Sequence, residues 1–157
     1  MTASAEDDFN GMAQESLRML TSFLKPTLDF AKGQLDQRGG FSPFAAYLNS
    51  RNELSMSMMG EDDHSEGAER LSRLAACVRG RVTEEGAASA VLCYDCRVIR
   101  PGHSKKADAV CTHYEDELGE KWDLFFPYLL AENGAAQYQP WHYVYGETLI
   151  YETLTNG

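Results

Sequence analysis

At the start of the chain, apolar residues recur at spacings of three and four: Phe9, Met12, Ala13, Leu17, Leu20, Phe23 and Leu24. That is the period of one helix face, and Ser4 with Asp7 resembles a capping box, so the pattern predicts an amphipathic helix over 4–24. Pro26 is expected to end or kink it. Leu28, Ala31 and Leu35 then mark a second short helical segment that stops at Gly39 and Gly40.

Beyond the two glycines the period drops to two. Residues 41–59, FSPFAAYLNSRNELSMSMM, read as two strands joined by a polar turn around Asn49–Asn52. On the second strand Leu54, Met56 and Met58 alternate with serines, which leaves one apolar side. The loop GEDDHSE offers Asp63 and Glu66 as helix caps. A helix over 66–84 follows, with Ala68, Leu71, Leu74, Ala75, Val78 and Val82 as its stripe and Arg70, Arg73 and Arg81 off it. Three extended segments come next, at 88–100, 107–116 and 121–130, separated by the turn compositions PGHSKK and ELGE. In the tail, Trp141, Tyr143 and Tyr145 alternate with His142 and Val144, as in one further strand or an extended arm packing on the domain.

This order predicts an α+β fold: a five- or six-stranded antiparallel sheet with helices mainly on one face, in the order α-α-β-β-α-β-β-β-β. The crossover after the first hairpin can set the third strand at the far side of the sheet. A chain of 157 residues has the size of one domain. It divides into an N-terminal helical segment (1–38), a ββαβββ core (41–130) and an aromatic C-terminal strand or arm (135–157). In element order over residues 5–130 it resembles the roadblock and longin-type domains, whose five-stranded antiparallel sheets carry helices alternating with ββ and βββ units. The resemblance implies nothing definite about function.

The CxxC formed by Cys93 and Cys96 raises the question of redox or zinc chemistry. Its neighbours Ala90, Val91, Leu92, Tyr94, Val98 and Ile99 favour a strand, and residues three apart on a strand point to opposite faces. The pair therefore cannot act as one dithiol or as a zinc knuckle. If strands 88–100 and 107–116 pair with residue numbers summing to about 207, Cys96 faces Cys111 and Tyr94 faces His113. That cluster lacks a fourth zinc ligand, so no metal and no cofactor is expected.

Charge narrows the function classes. The net charge is −10, with 11 acids against 5 bases in residues 1–66, 5 against 8 in 67–113 and 8 against 1 in 114–157. Such a chain opposes a nucleic-acid backbone at long range, so no nucleic-acid partner is expected. No stretch approaches the length of an apolar membrane span, and the acidic start MTASAEDDF is not a signal sequence, which makes a cytoplasmic location the expectation. No GxxxxGK or GxGxxG loop and no glycine-flanked nucleophile turn is present. His64 with Asp62, Asp63 and Glu66 reads as a capped, solvated turn rather than a cation site, and His103 as an exposed turn residue.

The preferred function is a non-enzymatic protein-binding domain. In size and acidity it resembles the small immunity proteins with which bacteria neutralise toxins, which implies occlusion of a basic partner; Glu115, Asp116, Glu117 and Trp122 are the candidate contacts. The alternatives are a homodimeric module in the roadblock manner, pairing through helix 66–84 or a sheet edge, and a small-molecule binder or enzyme with a pocket lined by Tyr94, His113, Trp141 and His142.

Overall fold

The computed structural model describes residues 14–51, 53–58, 67–147 and 149–151. Helix α1 (Gln14–Arg38) leads into the hairpin of β1 (Phe44–Leu48) and β2 (Leu54–Met58). Helix α2 (Gly67–Glu85) then crosses to a run of strands: β3 (Ser89–Ile99), β4 (Lys106–Asp116), β5 (Lys121–Leu130), β6 (Ala136–Tyr138) and β7 (His142–Tyr145). All seven strands form one antiparallel sheet in the order β2-β1-β3-β4-β5, with β6 and β7 both on the outer side of β5. The fold is α+β, as the alternation of periods predicts. The crossover, however, sets β3 directly beside β1, with Phe44 opposite Cys93 and Leu48 opposite Ser89, instead of at the far side.

Pro26 does not end the first helix, which runs unbroken through it. Six residues explain why. Ser16, Leu20, Phe23, Thr27, Ala31 and Leu35 are all buried, and their spacings of three and four carry one stripe straight past the proline. Burying a Leu or Phe side chain contributes about 1.5–3 kcal/mol, while a proline inside a helix costs roughly 3 kcal/mol, so the contacts on both sides outweigh the break. The two segments expected on either side of Pro26 are thus one helix over the described residues; an onset at Ser4 lies outside them, as do the caps Asp63 and Glu66 of α2 and the His64 turn.

Strand alternation divides the core in two. Phe44, Ala46, Val91, Cys93, Val110, Tyr114 and Leu124 pack under α1. Their neighbours Ala45, Tyr47, Ala90 and Leu92 pack under Leu74, Ala75, Val78 and Val82 of α2. The 25-residue α1 packs over the first set of strand residues, and the 19-residue α2 packs over the second, on β1 and β3.

The aromatic tail is nearly one strand. Tyr128 pairs with Tyr138 and Leu130 with Ala136, while Phe125 pairs with His142 and Trp122 with Tyr145. Between these two ladders Gln139, Pro140 and Trp141 lie opposite only Phe126 and Pro127, so the strand carries one extra residue, a bulge at a proline that has no N–H to donate. The extra residue reverses the parity. Tyr138 before it and Trp141 and Tyr143 after it all pack on the α1 side, around Trp122 and Phe126. Pro127 acts on the other side of β5 as well. The β4–β5 ladder stops at Ala109 opposite Pro127, and from Tyr128 onward β5 pairs with β6 alone.

Candidate functional site

The chemistry-bearing side chains gather on the α2 face, in two rows set by the register. Leu92, His113, Asp123 and Val144 make one row across β3, β4, β5 and β7; Tyr94, Cys111, Phe125 and His142 make the next. The β3–β4 partners sum to 205, not 207, so Cys96 lies opposite Ala109 and Tyr94 opposite Cys111. A shift of two residues keeps every side chain on its face, which is why the cluster survives although its pairing changes.

His113 is held from both sides. Its Nδ1 lies 2.6 Å from Asp123 Oδ1 and its Nε2 lies 2.5 Å from Glu115 Oε2. An acceptor at each nitrogen favours the doubly protonated ring. Burial pulls its pKa down, but the hydrogen bonds and charges of Asp123 and Glu115 more than reverse this and bring it up to about 9. Burial likewise pushes Glu115 up, and His113 with the backbone N–H groups of Tyr151 and Leu149 outweighs it, leaving the carboxyl below its usual range. The result is an imidazolium between two carboxylates.

Glu115 also grips the C-terminal segment. Leu149 N–H donates to Oε2 at 2.7 Å, Ile150 N–H to the same oxygen at 3.0 Å and Tyr151 N–H to Oε1 at 3.0 Å. Ile150 inserts into the α2 core, Arg79 donates to the Leu149 carbonyl at 2.9 Å, and the Tyr151 hydroxyl donates to the Ala87 carbonyl at 2.8 Å. Gly146 passes so close over the ring that a Cβ there would lie 3.0 Å from His113 Cε1. The arrangement is a clasp that fastens the chain's last described residues under α2. With both ring nitrogens engaged by carboxylates, His113 has no site from which to take a proton from a nucleophile.

The thiols beside it behave separately. Cys93 is buried in the α1 core, and burial pushes its thiol well up, while Cys96 is on the α2 face, as expected for a strand. Cys96 shares a hydrogen bond with Cys111 that lowers the Cys96 pKa, while that bond and burial raise Cys111. Tyr94 is raised by burial and by Cys111. Among the described residues no group of three or more His, Cys, Asp or Glu is placed to hold a metal.

The expected pocket is not assembled as a unit. Tyr94, His113 and His142 share the α2 face, with His142 stacked on Phe125 at 5.1 Å and its pKa lowered by burial. Trp141 stacks on Phe126 at 5.9 Å on the opposite face.

Of the expected contact residues, Glu115, Asp116 and Trp122 are only 2%, 2% and 6% exposed. Asp116 accepts hydrogen bonds from the Tyr114 hydroxyl and from the N–H groups of Leu118 and Glu120, which shapes the β4–β5 turn. Trp122 stacks on Tyr145 and donates to Glu120 at 2.9 Å. Carboxylates that saturate their acceptors internally have little left for a partner, and only Glu117 of the four is exposed.

Asp123, Gly146 and the amides of 149–151 escaped the sequence reading. Asp123 had a signal, being a carboxylate set among the apolar residues of WDLFF. No protein-family model matches the chain, and comparison with the curated proteins and with the solved structures gave no match.

Proposed function

We propose that this chain is a non-enzymatic protein-binding domain of the immunity or inhibitor type, and that its contact surface is the edge strand β2 rather than the buried acids of β4. The observation that carries this reading is the side of β2 turned away from α2. Leu54, Met56 and Met58 are 37%, 43% and 52% exposed there, in a row, on a strand that pairs, among the described residues, with β1 alone. Edge strands are usually blunted with charge or proline; an apolar, unpaired edge is a surface onto which another chain can add a strand. Methionine adapts to varied partner shapes. The net charge of −10 favours a basic partner and speeds encounter at low salt.

A second reading is self-association in the homodimeric manner, favoured by the same edge, because two copies of β2 can pair antiparallel about a two-fold axis. Native mass spectrometry of protein taken from its own host at low salt tests both. The expected result is a mass above the monomer that Met56→Lys removes without changing the melting temperature. A heteromeric mass supports the first reading, and a dimer of this chain the second. Bare monomer for both variants, or a complex indifferent to Met56→Lys, overturns β2 as the contact surface.

A further inference from the structure

At the free end of the β3–β4 hairpin the sheet opens into a cavity of about 490 Å³. Its origin is Pro127. The β4–β5 ladder ends there, β5 turns away to pair with β6, and Lys106, Ala107 and Asp108 of β4 are left without a strand partner on the β5 side. Tyr128, Leu129 and Leu130 wall the wedge on one side, and the hairpin tip with Arg97, Arg100 and Lys105 walls it on the other. Residues 97–108 carry four cationic side chains and one carboxylate, in a chain whose overall balance is strongly negative. Among the described residues only Arg97 of the four has an ion pair, with Asp108 at 3.6 Å. Arg100 lines the cavity, and its Nε is shut from solvent with no hydrogen-bond partner. A guanidinium offers a planar fork of N–H donors whose geometry suits an anion.

We propose that this wedge binds a small organic phosphate. Arg100 takes the phosphate through its planar N–H groups, Lys105 and Lys106 add charge, and the organic part lies against Leu129 and Leu130. Three observations favour a small ligand over a polymer. The volume lies within the usual range for small-molecule pockets. The walls combine cations with exposed aliphatic side chains. The cations converge on one wedge instead of running along a surface track, and the rest of the chain repels a polyanion.

The test is binding of 1-naphthyl phosphate to the full chain, followed by calorimetry and by amide chemical shifts, beside inorganic phosphate, 1-naphthol and a short single-stranded oligonucleotide. The expected result is that 1-naphthyl phosphate binds at least about tenfold more tightly than either of its parts, shifts amides at 97–108 and 128–130, and weakens as salt rises. Arg100→Ala should cut that affinity by about tenfold or more, with thermal melting confirming that it folds. Leu129→Glu, at an exposed position, provides a second variant and should also weaken binding. Equal affinity for 1-naphthol, affinity unchanged in both variants, or tighter binding of the oligonucleotide would each overturn the proposal.

Discussion

The two ends of the β3–β4 pair handle charge in opposite ways. Where β4 ends, Glu115 and Asp116 are fully buried, and each has its acceptors filled by a histidine, a tyrosine hydroxyl or backbone amides. Where β3 ends and β4 begins, the cations Arg100, Lys105 and Lys106 have no ion pair among the described residues, and one guanidinium N–H is buried unpaired. The difference separates charge used to hold the fold from charge left available. A saturated carboxylate rigidifies its surroundings but binds nothing more; an unsaturated cation destabilises its surroundings slightly until a ligand arrives.

The largest test of this contrast is Glu115→Ala, which strands an imidazolium and three amides in the interior. It should cost about 3–5 kcal/mol in urea unfolding, with Glu115→Gln recovering part of that loss. A cost below about 1 kcal/mol would mean that the clasp is solvated in solution.

Titration gives the next effect. The folded pKa of His113 is raised above its unfolded value of roughly 6.5, so the stabilisation is fully present below that value and fades as pH climbs through about 9. Unfolding free energy should fall by up to about 3 kcal/mol across this window, and His113→Leu should flatten the slope. On the acid side the lowered pKa of Glu115 predicts a further loss as pH falls beneath the ordinary glutamate range.

Gly146→Ala should cost about 1–3 kcal/mol, because its Cβ would meet His113 at 3.0 and 3.1 Å and Asp123 at 3.4 Å, and a ring fixed at both nitrogens cannot yield. At the other end of the hairpin, Arg100→Ala should change stability by less than about 0.5 kcal/mol in the absence of ligand, since no intramolecular bond of its Nε is lost. A large loss there would erase the contrast.

The elements were readable where pattern and packing agree. Alternation placed β3, β4 and β5 almost to the residue, and the argument that Cys93 and Cys96 diverge follows from the strand alone. Three features were not readable, each for a reason. Pro26 looks like a stop because local propensity cannot weigh the sheet contacts that hold both halves of α1. The register of β4 depends on how many residues the hairpin tip absorbs, and a six-residue tip fixes that number only in three dimensions. Glu115 and Asp116 read as surface contacts because EDE is a polar run; the burial of Glu115 depends on a segment some 35 residues downstream.

The grip of Glu115 on residues 149–151 bears on how the molecule is made. Until residue 149 leaves the ribosome, the nascent sheet holds a carboxylate facing amides that do not yet exist, and α2 closes over a gap shaped for Ile150. Closing the core beneath α2 therefore waits on the docking of residues 149–151.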